Sequence, residues 1–155
     1  MNNHSDIDEN IKLRALRAED YENMIETWNK AGLSIRVKGR ESKESIRKEL
    51  KFVGAYFIGA FDKSKEEQPI GLVIANYDGR RGWINRIAVL PEYRRRGVAS
   101  ALIDKAEEFL KKKGAKVIAA LIDKSNNSSR KLFEKHGYNM IEEISYYAKR
   151  ESPDS

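Results

Sequence analysis

The sequence predicts a mixed α/β domain, in the α+β sense, with helices packed on one central β-sheet. Three patterns carry this reading. Two runs rich in β-forming residues, 56–61 and 70–77, are separated only by the polar stretch DKSKEEQP, the arrangement of an antiparallel hairpin. A third run, 83–90, is followed by a long amphipathic stretch and then by another apolar run, 116–122, and a strand, helix, strand succession of this length makes a right-handed parallel crossover. Ahead of the hairpin, apolar residues recur at helical rather than alternating spacing.

Taken in order, residues 11–16 form a short strand. Over 18–31, Tyr21, Met24, Ile25 and Trp28 fall at helical spacing, and Gly32 stops the turn. After the loop LSIRVKGRE, Ser42 is the N-cap of a second short helix whose Ile46, Leu50 and Val53 share a face. The hairpin follows, and Asp78-Gly79 turns the chain into 83–90. There Trp83, Asn85, Ile87 and Val89 alternate with Ile84, Arg86, Ala88 and Leu90, and because both faces are largely apolar the strand is central. Residues 98–113 give the clearest helix, with Val98, Leu102, Ala106, Phe109 and Leu110 in one stripe, Lys111 to Lys113 in the last turn and Gly114 as the cap. Run 116–122 reads as a buried strand. Asn126 or Asn127 caps a last helix that carries Leu132 and Phe133 and closes at Gly137, and 138–149 supplies a final strand or hairpin arm. Trp28 and Trp83 are expected in the core.

At 155 residues one domain is the economical reading, placed at 11–150 between disordered tails at 1–10 and 151–155. The first ten residues carry three acids and no Lys or Arg, so a formal net charge of +6 conceals a more basic body. Such a body attracts phosphates, and composition does not choose among nucleic acid, lipid and cofactor. With no cysteine, thiolate metal sites and acyl-cysteine mechanisms are excluded, and with only His4 and His136 no metal centre is expected. No apolar run approaches the ~20 residues of a membrane span and no signal-peptide order is seen, so a cytoplasmic protein without membrane partners is expected. Neither GxxxxGK[ST] nor an early GxGxxG occurs.

The junction RIAVLPEYRRRGVASALI concentrates the signal. A strand that ends where a helix begins leaves backbone N–H groups without partners, and the helix dipole adds positive charge at the same point. Gly97 opens the backbone, small Ala99 and Ser100 keep the first turn clear, and Arg94, Arg95 and Arg96 add charge. The expected guest is a pyrophosphate; an exposed basic turn with a glycine for geometry is the alternative left by spacing alone.

This stretch resembles the acyl-coenzyme A motif of the GNAT superfamily of N-acetyltransferases: Arg or Gln, two residues, Gly, one residue, then Gly or Ala, filled here by Arg94, Gly97 and Ala99. The resemblance implies a GNAT-like central mixed sheet, mostly antiparallel with one splayed parallel pair, flanked by about four helices. It also implies transfer of an acetyl group from acetyl-CoA to a primary amine by direct attack in a ternary complex. The pyrophosphate of coenzyme A would lie on backbone N–H groups of Arg95, Arg96, Gly97, Val98, Ala99 and Ser100, with Arg94 helping, and the pantetheine arm along Ile87, Ala88 and Val89. NNSSRKLFEKHGY resembles the family's second signature, in which Asn127 would bond the arm, unless it only caps the helix, and Phe133 would face the sulfur.

Two positions depart from the pattern. Where many relatives carry a tyrosine that protonates the thiolate, Phe133 stands, and where many carry a strand glutamate as base, Asn85 stands. Substitutes to test are Tyr138, Tyr146 and Tyr147. The segment between the first two helices often borders the acceptor site in this family, so Arg36, Lys38 and Arg40 are candidates for attracting an acidic or phosphorylated acceptor, with Tyr77 lining the same cleft. The acceptor would be a small-molecule amine or a peptide or protein amine, and a homodimer is compatible with the resemblance. A coenzyme A-binding sensor without chemistry is the alternative. A nucleic-acid binder, suggested by charge alone, comes last.

Overall fold

The computed structural model describes residues 7–155. Among these residues five strands and four α-helices follow in the order β1 (Ile11–Ala15), α1 (Tyr21–Lys30), α2 (Lys43–Lys51), β2 (Ala55–Asp62), β3 (Pro69–Tyr77), β4 (Gly82–Val89), α3 (Val98–Lys113), β5 (Ile118–Ala119) and α4 (Asn127–Lys135). The strands lie in one sheet in sequence order. β1 to β4 pair antiparallel, and β4 pairs parallel with β5 after the α3 crossover.

The sheet has a core on each face. On one, Val98, Leu102, Ile103, Ala106 and Leu110 of α3 pack with Ile58, Val73, Ala75 and Ile84. On the other, Met24 and Trp28 of α1 and Ile46 of α2 pack with Phe57, Phe61, Leu72 and Ile74. Because β2 and β3 are buried on both faces, their side chains are apolar almost throughout rather than alternating. Close approach is needed where α3 meets the sheet: a Cβ at Gly71 would lie 3.0 Å from the Ala88 carbonyl oxygen and 3.2 Å from Val98 Cγ1. Gly71 thereby seats the start of α3 over the end of β4.

The helix signals hold. Ser42 Oγ accepts a hydrogen bond from the backbone N–H of Ser45 at 3.2 Å, and Gly114 closes α3 in the left-handed region. Ser42→Ala is expected to cost about 1 kcal/mol, lowering Tm by about 2–4 °C in a calorimetric scan.

Several expectations are corrected. The strand read over 116–122 shrinks to two residues, with Val117 52% and Leu121 60% exposed. Residues 138–149 form no strand, and Met140, Ile141 and Ile144 are exposed. Val53 lies beyond the end of α2 and is exposed, and Trp83 is only half buried, its Nε1 donating to Asp78 Oδ2 at 3.0 Å. Of the tail read over 1–10, His4 and the rest of the first six residues lie outside the described residues. Ile7 packs on the α3-side core and Asp8 pairs with Arg96 at 3.8 Å. No helix among the described residues is long and apolar enough to cross a membrane.

Candidate active site

The site begins with a break in strand alternation. Leu72 faces Ala88 and Ile74 faces Asn85, so Arg86 and Ile87 together stand opposite Val73 as a β-bulge. Arg86 takes the extra turn with φ +56°, in the left-handed region. The expected grouping of Ile84 with Ala88 is therefore wrong: Ile84 belongs to the α3-side core and Ala88 to the α1-side core. The bulge bends β4 away from β5, which pairs with it only at Gly82 and Trp83. Beyond Trp83 the two parallel strands part, and the β4 edge along Ile87, Ala88 and Val89 has no strand partner on that side among the described residues.

At the end of β4 the chain passes a short 3₁₀ turn, Pro91–Tyr93, and enters α3 through Arg95 (φ +64°) and Gly97 (φ +77°). Among the described residues no side chain caps α3 and its first turn holds no acid, which leaves the N–H groups of Val98, Ala99 and Ser100 open to a ligand or to water. The turn is braced from below. Tyr93 Oη donates to Asp62 Oδ2 at 2.9 Å, which raises the phenol's pKa and helps lower that of the carboxyl, whose larger causes are its bonds from Ser64. The three arginines divide their roles. Arg94 Nε donates to the Val89 carbonyl at 3.2 Å and its Nη2 to the Ala31 carbonyl at 3.4 Å. Arg96 reaches Asp8 and lies 5.1 Å over the Tyr93 ring, while Arg95 is exposed.

On the α1 side of the bulge sits Glu41, only 3% exposed. Its Oε2 accepts from the Arg36 backbone N–H at 2.7 Å; its Oε1 accepts from Arg40 Nε at 2.9 Å and lies 3.2 Å from Arg86 Nη2. Arg86 Nη2 also donates to the Ser34 carbonyl at 2.8 Å, and its guanidinium lies 5.3 Å over Trp28, whose Nε1 donates to the Arg86 carbonyl at 3.1 Å. Burial lowers the Arg86 pKa, with Glu41 opposing. Of the predicted acceptor-site cations, Arg36 and Arg40 thus border the bulge, and Arg36 also donates to the Ser155 carbonyl. Lys38 lines a solvent-open hollow of about 410 Å³ together with Arg40 and Asp154. Tyr77 lies elsewhere: it packs on the α3-side core with its hydroxyl beside Gly114. Glu41 and Arg86 escaped the sequence reading, although a lone arginine in an apolar strand was a signal available there.

The proton-handling candidates are dispersed. Asn85 Nδ2 donates to Asn76 Oδ1 at 3.0 Å, and Asn76 Nδ2 to Glu49 Oε2 at 3.0 Å. Phe133 is 3% exposed and meets the Tyr138 ring edge-on at 5.1 Å. Burial, with the Glu107 carboxylate adding to it, pushes the Tyr138 phenol well above its ordinary range, so it stays protonated. Tyr146 and Tyr147 are 70% and 91% exposed. The α4 cap is Asn126, whose Oδ1 accepts from the Ser129 N–H at 3.1 Å; Asn127 is the first helical residue, exposed and relieved of that duty.

Residues 13–138 match the model of the acetyltransferase (GNAT) family. The chain is 28% identical over 140 residues to the acetyltransferase SG1711 of Sodalis glossinidius (strain morsitans), covering 90% of this chain and 95% of the relative. Among solved structures it resembles the PaiA N-acetyltransferase of Thermoplasma acidophilum in complex with coenzyme A, with TM-score 0.71 and 22% identity over 81% of this chain and 87% of that one. It also resembles the aminoglycoside 6'-N-acetyltransferase AAC(6')-Ih of Acinetobacter baumannii, with TM-score 0.74 and 17% identity over 92% and 99% of the two chains.

Proposed function

This chain belongs to the GNAT acetyltransferase family, and from that premise we propose that it transfers the acetyl group of acetyl-coenzyme A to a primary amine by direct attack in a ternary complex. The observation that carries the reading is the uncapped mouth of α3 set beside the unpartnered edge of β4. The residues present suit the carrier. Backbone N–H groups from Arg95 to Ser100 would hold the pyrophosphate, with Gly97 leaving the approach open. Arg94 helps indirectly, by tying the turn to Val89 and Ala31. The β4 edge at Ile87, Ala88 and Val89 would pair with the amides of the pantetheine arm as a further strand does, and Asn127, the first residue of α4, would bond the same arm.

Acetyl-coenzyme A, when bound, supplies the thioester carbonyl and a thiolate leaving group. A thiol of pKa roughly 8.5 departs without a strong acid, which suits a site where Phe133 donates no proton. Orientation carries much of the rate, up to about 7–11 kcal/mol in favourable intramolecular models, and N–H groups of the β4 edge would stabilise the oxyanion.

For the acceptor, Arg36, Arg40 and Arg86 surround the buried Glu41 carboxylate beside the bulge, and Lys38 lines the neighbouring hollow with Arg40 and Asp154. This favours an amine that carries an acidic group and disfavours polycations. The test combines calorimetry with acetyl-coenzyme A and thiol release over a panel of acidic amines, neutral amines, peptides and polyamines. Acidic amines are expected to show the lowest KM, rising with added salt. A preference for polycations would reject the acidic acceptor. Coenzyme binding without thiol release from any amine would favour the sensor reading, which Phe133 and Asn85 motivate.

A further inference from the structure

We propose that Glu49 and Asn76 are positioning residues that fix which end of the Asn85 amide meets the acceptor amine; this rests on the acetyl-transfer reading. The placement comes first. Gly71 seats Val98, and with it the mouth of α3, over Ala88 and Val89. A pantetheine arm running back along β4 from that level spans about four extended residues, roughly 13 Å, and so brings the thioester to Asn85, Arg86 and Ile87 at the bulge. Asn85 faces Ile74 on the α1 side of the sheet, the side on which Glu41 and the cationic loop sit.

Polarity follows from hydrogen-bond chemistry. A carboxylate only accepts, so Glu49 Oε2 draws the NH₂ end of Asn76 at 3.0 Å. The oxygen end of Asn76 then faces Asn85, and only the NH₂ end of Asn85 can donate to it, at 3.0 Å. Asn76 stands opposite Trp83 in the sheet, toward the start of β4 from Asn85. The Asn85 NH₂ is therefore turned toward that end, and its Oδ1 toward Arg86 and Ile87, where the thioester would lie. A single acceptor-only group on α2 thus sets the direction of two amides, each of which would otherwise sit equally well either way round.

An amide oxygen at that point accepts an N–H of the incoming amine and aims its lone pair at the carbonyl carbon. The C–N bond forms as the carbonyl π pair moves onto oxygen; its return breaks the C–S bond and expels sulfur as thiolate, and the surplus amine proton passes to water. With Asn85 reversed, its NH₂ would meet the amine's own N–H groups, donor against donor. Asn85 orients the nucleophile and is not itself a base.

The decisive comparison is Glu49→Gln against the double variant Glu49→Gln/Asn76→Asp. Glutamine offers either end to Asn76, so the polarity is lost, and kcat/KM for the acceptor is expected to fall about tenfold while the acetyl-coenzyme A Kd holds. In the double variant the acceptor-only group moves one place along, from α2 to β3. The introduced glutamine donates to the introduced aspartate, the aspartate accepts from the NH₂ of Asn85, and kcat/KM is expected to return to within about threefold of wild type. Side-chain amide resonances report the orientation without turnover, through contacts of the Asn85 NH₂ protons with the side chain at position 76, present in wild type and the double variant and lost in Glu49→Gln. An unchanged kcat/KM in Glu49→Gln, a double variant as slow as the single one, or a wild-type Asn85 with its NH₂ turned away from Asn76 would each overturn the proposal. A wild-type protein that binds acetyl-coenzyme A yet acetylates no amine defeats the acetyl-transfer reading and the role of Asn85 with it, while the resonances still decide the orientation.

Discussion

Gly97→Val is expected to raise the Kd for acetyl-coenzyme A by about 100-fold or more. Gly97 sits at φ +77°, where any L side chain is strained by roughly 1–2 kcal/mol. The larger effect is on the ligand. A β-branched side chain at the helix entrance covers the N–H groups of the first turn, which no side chain among the described residues caps. Losing two charge-assisted hydrogen bonds, at about 1.5–3 kcal/mol each, amounts to about 10²- to 10⁴-fold in affinity. Stability falls only by the backbone strain, so Tm drops by less than about 10 °C and the folded variant remains available for titration. Calorimetry at modest ionic strength decides the matter. An unchanged Kd would mean that the carrier's diphosphate sits somewhere other than the mouth of α3.

Glu41→Ala is expected to destabilise the fold by about 3 kcal/mol, read as a lower urea midpoint at constant m. The carboxylate is held from two parts of the fold, the loop between α1 and α2 and the β4 bulge. The Arg36 N–H and Arg40 hold it from the loop, and Arg86 reaches it from the β4 bulge. The Arg40 side chain is 52% exposed and contributes little. Arg86, at 19%, is the partner left stranded in partly dry surroundings. Removing one member of such a pair costs more than the pair contributes, because the other charge stays behind without compensation. Glu41→Gln keeps the shape and one acceptor, so its cost should be the smaller of the two. A shift below about 0.5 kcal/mol in Glu41→Ala would show that Trp28 and the Ser34 carbonyl hold Arg86 unaided.

The element order was legible because each signal is local. Glycine follows α1 and α3, Ser42 precedes α2, and the polar stretch joining β2 to β3 closes a hairpin over few residues. The misread elements depend on partners distant in the chain. The alternation of 83–90 looked regular because both faces are apolar, yet the bulge exists only in the pairing with β3. Run 116–122 has the composition of a buried strand, but bent β4 leaves it only two positions to pair with. Segment 138–149 is rich in β-forming residues and stays exposed, since a strand forms only where an edge receives it.

By itself, the sequence determined the mixed domain, the crossover and the family resemblance, all written in neighbouring residues. The tertiary structure alone decided which arginine braces the turn and which reaches the buried carboxylate, that Tyr77 belongs to the other face, and which way the Asn85 amide points. Helix caps and glycine turns act over a few residues, whereas Glu41 with Arg86, and Glu49 with Asn76 and Asn85, meet only after a sheet and two helices have packed. Hydrogen-bond direction and charge pairing are set at that stage, by which groups the fold brings within about 3 Å of one another.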